Sequence, residues 1–359
     1  TQGVSSAASD VYKRQQHACR SQPSDVILHV RLLDSTNAAQ QDALGRLGVN
    51  LLHAAVTRWW EPKAMVERLL DDVGRARLEI DWITTRGPAF TGTDNRLLDL
   101  HLVRLGFTPA LLFETDGTPL LASEALRRTP VLVERGRFAP VTRMNLEMLA
   151  SARPAFVADA EPEDAAGTTD VCEIMEISIN NLHEQAQAAD ADFLARVELL
   201  SAVHKRVLVS DLPTFYALGE YLAERSVARA GFVIGVPLLR ELFNETFYSD
   251  LAGGILEAFG RLFTRRVRLY VYPTRAADGR VVTAESLDVP PHLAHLLAHL
   301  RANGMIRGLG CEEATLRTYS SEDVRRAICG GEPSWKEFVA AEVAAHIEAH
   351  GIAGFSCNL

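Results

Sequence analysis

The sequence predicts an α/β protein whose main domain is a doubly wound parallel sheet, preceded by a second α/β domain. Short apolar runs alternate with longer segments of helical periodicity along most of the chain, which is typical of βαβ units. The length of 359 residues accommodates about two domains. A strand, a glycine turn and a helix also follow one another closely in residues 130–149, which favours the second half as the doubly wound part.

Residues 25–128 are predicted to form the first domain. The expected elements are a strand at 25–33, a helix at 37–47 capped by Ser35 or Thr36, a strand at 49–56, a helix at 62–73 beginning at Pro62, a strand at 78–84, a helix at 96–105 and a strand at 109–114. Elements of this order imply right-handed crossovers and a mostly parallel sheet. The D-G-T of residues 116–118 resembles a phosphoryl-transfer motif but also fits a plain turn. We assign no function to this domain.

Residues 1–24 are expected to contribute no fold. The stretch S-S-A-A-S-D-V-Y-K-R-Q at residues 5–15 resembles an in-frame translation of a sequencing adapter, followed by a disordered leader. The natural N-terminus would then be missing, and the chain would be a fragment of a longer protein.

Composition excludes several classes of protein. Apolar residues make up 47% of the chain and charged residues 23%, without an apolar run of the ~18 residues that a membrane span needs. The net charge of −9 argues against a nucleic-acid partner, which would require a basic face. Five scattered cysteines without a C-x-x-C pair favour a reducing cytoplasm over a disulfide framework, and argue against structural zinc.

Residues 129–359 are predicted to form the second domain, which opens with an anion site. The apolar run P-V-L-V at residues 130–133 leads to Gly136, the pattern G-x-F-x-P-x-T-x-x-N-L follows, and a helix begins with it. The first N–H groups of a helix lack internal partners, and the helix dipole favours negative charge beside them.

This stretch resembles the opening motif of the nucleotidylyltransferase superfamily, which includes nicotinate-nucleotide and pantetheine-phosphate adenylyltransferases. The superfamily signature is G-x-F-D-P-[IV]-[HT]-x-G-H-L. The positions that match it are Gly136, Phe138, Pro140, Val141, Thr142 and Leu146, and those that differ are Ala139, Met144 and Asn145.

The resemblance continues in order along residues 129–350. We expect strands at 170–179, 206–210, 231–235 and 266–272, and helices at 193–200, 216–224 and 251–263. The third of these strands ends at Gly235, as it does in the family. The closing S-S-E-D-V-R at residues 320–325 resembles the family's I-S-S-T-x-x-R, in which serines and an arginine hold ATP phosphates. Taken alone, the segment is better explained as a capped helix start with acidic first-turn residues, which is compatible with an anion site.

The resemblance implies a Rossmann-like fold, Mg²⁺ with ATP, and a mononucleotide such as nicotinate mononucleotide that receives AMP. Thr142 and Asn145 would then be catalytic, and Gly136, Phe138, Gly235, Ser320, Ser321 and Arg325 would bind the nucleotide. No partner beyond a small-molecule nucleotide, neither nucleic acid nor membrane, is expected.

Departures from the family pattern keep a second hypothesis open. Asn145 stands where the family has its second His, and an amide donates a hydrogen bond but carries no positive charge. Met144 replaces a glycine, and residues 178–183 contain no lysine, which the family commonly places there. The alternative is a catalytically inactive nucleotide-binding or regulatory module. A third hypothesis places the chemistry in the first domain.

Three histidines lie at helical spacing near residue 295. His292, His295 and His299 could share one helix face and bind a metal, but leucines flank them, which is typical of a half-buried helix. The sequence therefore predicts no metal site of its own.

Overall fold

The structure is a computed structural model, which describes residues 8–16, 20, 22–160, 170–182, 186–225, 227–263, 266–276, 278–310, 316, 319 and 321–350. The chain divides into two compact units. The first runs to Leu112 and adds Thr118–Leu121 and Val209–Asp211, and the second holds Phe113–Gly117, Ala122–Leu208 and the chain from Leu212 onwards. This division falls earlier than the predicted boundary after residue 128. The polar loop at residues 161–169 lies outside the described residues.

The first unit contains a three-stranded antiparallel sheet of order β1-β2-β3. Its strands are β1 (Ala8–Gln15), β2 (Ser24–Leu32) and β3 (Leu78–Arg86), and its helices are α1 (Asn37–Thr57), α2 (Pro62–Glu67) and α3 (Asn95–Arg104). Residues 8–15 were expected to lie outside the fold, but they pair with residues 24–31 of β2.

The expectation of a mostly parallel sheet in this unit is wrong, because the predicted strand at 49–56 is helical. The buried residues of α1 are Ala43, Leu47, Leu51, Ala54 and Ala55, so one helical face continues through the apolar run. Two helices instead of one therefore connect β2 to β3. After an out-and-back helix pair the chain returns to the end of the sheet where β2 finished, so β3 runs antiparallel to β2.

An eight-stranded, mostly parallel mixed sheet has the order β13-β10-β9-β6-β7-β8-β4-β5. Its strands in chain order are β4 (Ala110–Phe113), β5 (Pro119–Leu120), β6 (Pro130–Arg135), β7 (Cys172–Ser178), β8 (Arg206–Ser210), β9 (Arg229–Gly235), β10 (Val267–Tyr272) and β13 (Ile306–Gly308). A small hairpin pairs β11 (Thr274–Arg275) with β12 (Val281–Val282).

The helices of the second unit connect these strands. They are α4 (Ala122–Ala125), α5 (Arg143–Ala158), α6 (Ala186–Ala202), α7 (Phe215–Glu224), α8 (Val236–Leu242), α9 (Gly254–Leu262), α10 (Ala294–Ala302), α11 (Ser321–Cys329) and α12 (Ala341–His350). Of them, α4 and α8 were not predicted. Short 3₁₀ helices occupy Pro88–Phe90, Ile179–Asn181, Glu245–Tyr248, Pro291–Leu293 and Pro333–Phe338.

The central strands are covered on both faces. Five of the six residues of β6 and six of the seven of β9 are buried, although successive side chains of a strand point to opposite faces. Near-continuous apolar strands of this kind are typical of parallel sheets between two helical layers. Strand β6 pairs in parallel with β7 on one side and with β9 on the other, and β9 pairs in parallel with β10.

The structure bears on two expectations drawn from composition, which concern membrane-spanning helices and the redox state of the cysteines. None of the described helices combines the length and apolar character required to cross a bilayer. Cys172 is a buried free thiol, but Cys329 is disulfide-bonded, so the expectation of reduced cysteines is wrong at Cys329. The cytoplasmic location stays a prediction.

Candidate functional site

The candidate site lies where the strand order of the second unit reverses. Numbered from β6, the strands β8-β7-β6-β9-β10-β13 follow the order 3-2-1-4-5-6, so the chain turns from one side of β6 to the other between β8 and β9. In open α/β sheets, ligands bind at such a switch point, outside the carboxyl ends of the strands. The carboxyl ends of β6 and β9 carry the predicted residues Gly136, Phe138, Thr142, Asn145 and Gly235.

The loop after β6 is shaped by packing between Gly136 and Phe138. The Gly136 N–H donates to the Glu176 carbonyl at 3.1 Å, and a Cβ at Gly136 would lie 2.8 Å from the Phe138 ring. The Phe138 side chain is 1% exposed with a φ of 45°, and the Ala139–Pro140 peptide bond is cis. Gly136 thus leaves room for the Phe138 ring, which packs in the core.

Thr142 and Asn145 form a capping box at the start of α5. The Asn145 Oδ1 accepts hydrogen bonds from the Thr142 N–H at 2.9 Å and from its hydroxyl at 2.8 Å. The Asn145 N–H donates to the Thr142 Oγ1 at 3.4 Å. Such reciprocal bonds satisfy helix donors that otherwise lack partners. The two residues predicted to be catalytic are therefore in direct contact, and the capping box holds both.

Glu134, the next-to-last residue of β6, is a buried carboxyl group that sequence analysis did not single out. Its Oε1 accepts a hydrogen bond of 2.6 Å from the Asn145 side-chain amide. Its Oε2 is buried and has no hydrogen-bond partner among the described residues. Burial raises the pKa of Glu134 from 4.5 to about 8, although the bond from Asn145 opposes the shift. The group is therefore mostly protonated at neutral pH and can donate a hydrogen bond.

Arg135 ties together the ends of three strands. It lies opposite Glu176 in the register of β6 and β7, and its guanidinium binds that carboxylate at 2.5 and 3.1 Å. The same side chain donates to the carbonyls of Leu212 at 2.7 Å and Pro213 at 3.1 Å, and lies 5.0 Å from the Phe215 ring centroid. Because Glu176 is fully buried, this pair fixes the loop after β8 against β6 and β7.

The Gly136 loop is also anchored from α6. Arg196 is paired with Asp192 at 2.5 and 2.7 Å, and donates to the carbonyl of Arg137 at 2.7 Å. The backbone of Arg137 is thus held, while its side chain is exposed. An arginine on a fixed loop at this edge can supply positive charge that Asn145 cannot.

The closing motif is described in part. Ser320 lies outside the described residues, so its proximity to Gly136 stays a prediction. Ser321 begins α11, and the Arg325 guanidinium lies 3.6 Å from a Glu322 carboxylate oxygen. The Arg325 Nε is buried without a hydrogen-bond partner among the described residues.

The segment after α11 contacts the start of α5. Arg143, the first residue of α5, donates from Nε to the Val339 carbonyl at 2.7 Å. The ring of Tyr319, just before α11, lies 4.5 Å from that of Phe338. These contacts bring the region of the closing motif toward the same edge of the sheet as the opening motif.

Gly235, unlike Gly136, occupies a position where a side chain would fit. It precedes α8 with a φ of −82°, and an added Cβ would lie 3.4 Å from the Cδ of Pro237, which is ordinary contact. Its backbone therefore accepts a side chain, and the family's glycine at this position is not sterically required here.

The three histidines of the α10 region are surface side chains. His292, His295 and His299 are exposed, and His292 contacts Glu245 at 2.7 Å. The leucines at 293, 297 and 300 are buried, as expected for a half-buried helix. Over the described parts of the chain, no group of three or more His, Cys, Asp or Glu side chains could hold a metal.

The chain matches no family model and no curated protein sequence.

Proposed function

We propose that the second unit is a Rossmann-like domain that binds ATP at the carboxyl edge of its sheet, between the Gly136 loop and the region of α11. The strand order supports this site, because its reversal between β6 and β9 creates the crevice used by other open α/β sheets. The amino terminus of α5 at this crevice favours an anion through its N–H groups and its dipole.

The nucleotide would be held by residues of both motifs. The backbone of Gly136 and the start of α5 would face the phosphates, with Ser320, Ser321 and Arg325 on the other side. The exposed Arg137 guanidinium would add a second charge from the anchored loop. Mg²⁺ would arrive with the nucleotide, because this ion is usually held by substrate phosphates with one or two carboxylates. Phe138 packs in the core and supports the Gly136 loop by this contact.

The contacts of Asn145 favour nucleotide binding without rapid chemistry. Its oxygen accepts two hydrogen bonds from Thr142, and its amide donates to Glu134. Adenylyl transfer requires a donor that stabilises charge on the reacting phosphate, and loss of such a donor costs about 10²–10³ in rate. We therefore favour a nucleotide-binding or regulatory module as the function of the site.

The second candidate is a slow adenylyltransferase that transfers AMP to a mononucleotide such as nicotinate mononucleotide. Arg137 is the observation that favours it, because a fixed loop presents its charge at the proposed phosphate site. In this reaction the phosphate of the mononucleotide would attack the α-phosphate of ATP, and pyrophosphate would leave. The second N–H of the Asn145 amide would supplement Arg137 in binding the phosphoryl oxygens.

Pyrophosphate release distinguishes the two candidates. The protein is incubated with ATP, Mg²⁺ and either nicotinate mononucleotide or phosphopantetheine, with Arg137→Gln as the test variant. A binding module releases no pyrophosphate with either acceptor. Slow release that Arg137→Gln lowers further supports the transferase, and turnover of about 1–10³ s⁻¹, as in ordinary enzymes, contradicts the favoured function.

A further inference from the structure

A cavity of about 290 Å³ lies in the second unit, lined by residues of α7, α8, α9 and the 3₁₀ helix at Glu245–Tyr248. Aromatic side chains form much of its wall: Phe215, Tyr216, Phe247, Tyr248 and Phe259. The volume falls just below the roughly 300–1,000 Å³ of drug-sized ligand sites. A ligand that fits this cavity must therefore be a small molecule with an apolar body.

The aromatic wall is held in place by contacts within the protein. The Phe259 ring lies edge-on to Phe243 at 5.2 Å and to Tyr248 at 6.2 Å between ring centroids. The Tyr248 hydroxyl donates a 2.9 Å hydrogen bond to the carbonyl of Leu242, so this buried polar group already has a partner. A wall fixed in this way loses little conformational entropy when it binds a ligand.

Glu241, in the last turn of α8, is the one charged group among the described residues that line the cavity. Its side chain is exposed and forms no ion pair with the described part of the chain. Phe247 is 61% exposed, so the aromatic wall is accessible from solvent at this ring. A molecule from solvent can therefore reach both the aromatic wall and a carboxylate that is not engaged by a cation.

Two arginines also contact rings of the wall, but each is already paired with a carboxylate. Arg261 lies 4.3 Å from the Tyr216 ring centroid and binds Glu220 through two hydrogen bonds of 2.8 Å. Arg135 is paired with the buried Glu176. The charge that the cavity offers to a ligand is therefore negative, and the faces of aromatic rings attract cations as well.

We propose that this aromatic cavity binds a small organic amine in its protonated form. The rings and leucines of the wall cover the apolar body of the amine, and the Glu241 carboxylate pairs with its ammonium group. The proposal does not depend on ATP binding, because none of the described wall residues belongs to the proposed nucleotide site.

Calorimetric titration of the full chain with 2-phenylethylamine, 2-phenylethanol and phenylacetate tests the proposal. The three probes share one aromatic ring and differ in the charge at the end of a short chain. We expect saturable 1:1 binding of the amine, binding of the alcohol weaker by about 5-fold, the upper range of an exposed ion pair, and still weaker binding of phenylacetate. Equal affinity for the amine and the alcohol, or no saturable binding of the amine, would overturn the proposal.

Glu241→Gln tests the role of the carboxylate. It should weaken binding of the amine by about 5-fold and leave binding of the alcohol unchanged, because only the amine carries a charge. Glu224→Gln is the matched control, since it removes the same charge from an exposed glutamate at the far end of α7 from Phe215, and it should leave the affinity for the amine unchanged. Unchanged affinity for the amine in folded Glu241→Gln would also contradict the proposal.

Two further variants test whether the amine binds in this cavity. Ala258→Met keeps a strong helix former in α9 and fills the cavity, so saturable binding of both the amine and the alcohol should be lost. Phe247→Ala removes a largely exposed ring on which folding does not depend, and should weaken binding of the amine by about 2- to 5-fold, the scale of an exposed cation–π contact. Undiminished binding of the amine in folded Ala258→Met, or in Phe247→Ala, would place the amine elsewhere on the chain and refute the proposed site.

Discussion

The side-chain amide of Asn145 donates a 2.6 Å hydrogen bond to Oε1 of Glu134, and so joins the start of α5 to the end of β6. The same Asn145 closes the capping box with Thr142. One side chain therefore stabilises a helix terminus and a buried carboxyl group together. This arrangement also places a group with a perturbed pKa at the strand-order reversal of the sheet.

Glu134 should make stability depend on pH. Its pKa in the folded protein, about 8, lies above the ordinary 4.5, so the folded protein retains a proton that the unfolded chain has released. The free energy of unfolding should therefore fall as pH rises from about 4.5 to about 8. Glu134→Gln removes this contribution and should raise stability at pH 8 by about 3–5 kcal/mol, since one pKa unit corresponds to about 1.4 kcal/mol. Urea denaturation at pH 5 to 9 measures both effects.

The control for this prediction is Glu173→Gln. Glu173 pairs with Arg153 at 2.9 Å and also contacts Lys205, and these partners lower its pKa despite partial burial. Its stabilising contribution is already complete well below pH 8, so this variant should not change the slope between pH 5 and 8. A natural chain whose stability does not fall between these pH values would show that Glu134 ionises normally.

The two glycines of the candidate site should respond differently to the same substitution. Gly136→Ala places a Cβ 2.8 Å from the Phe138 ring, and overpacking of this kind costs about 1–3 kcal/mol. Gly235→Ala makes only ordinary contact with Pro237 and should change the free energy of unfolding by less than about 0.5 kcal/mol. Equal costs for both variants would mean that Phe138 does not restrict the loop.

Arg135→Met tests the buried ion pair that joins the strand ends. It leaves Glu176 fully buried without its guanidinium partner, which should cost about 3–5 kcal/mol. Arg153→Met breaks a pair whose arginine is 47% exposed, and should cost less than about 1 kcal/mol. Thermal unfolding of the two variants provides the comparison. A small effect of Arg135→Met would show that water reaches Glu176.

The sequence predicted the elements of the second unit better than those of the first. Strands β6 to β10 and the helices α5, α6, α7 and α9 lie where apolar runs and helical periodicity predicted them, because both signals are local, whereas α8 was not predicted. The run at residues 49–56 failed as a strand because a short apolar segment fits a buried strand or a helix face equally well. Once it became part of α1, the direction of β3 changed with it.

The parts of the candidate site that depend on neighbouring residues in the sequence could be predicted. The start of α5 followed from Thr142 and the glycine turn, but the resemblance assigned Thr142 and Asn145 to chemistry, whereas the structure holds them in a cap. Glu134 is an acidic residue directly after an apolar run, and this sequence feature could have indicated a buried carboxyl group in β6. The pairing of Arg135 with Glu176 depends on the register between β6 and β7, which no local pattern encodes.

Asn145→His examines whether adenylyl transfer can be restored. In the double variant with Met144→Gly, the donor can carry positive charge and the phosphate gains room, so a latent transferase should release pyrophosphate about 10-fold faster or more. A binding module should show no gain. The substitution also removes the acceptor of the capping box, so we expect a loss of about 0.5–2 kcal/mol in the free energy of unfolding.

Calorimetric titration with ATP and Mg²⁺ tests most directly the central claim that the second unit binds ATP at the carboxyl edge of its sheet. The natural chain should bind one ATP. Arg325→Ala should weaken this binding by about 1.5–3 kcal/mol, the scale of a charged hydrogen bond. Arg326→Ala, which removes the neighbouring exposed arginine of α11, should leave the affinity unchanged. Absence of ATP binding to the natural chain, or unchanged affinity in folded Arg325→Ala, would contradict the account.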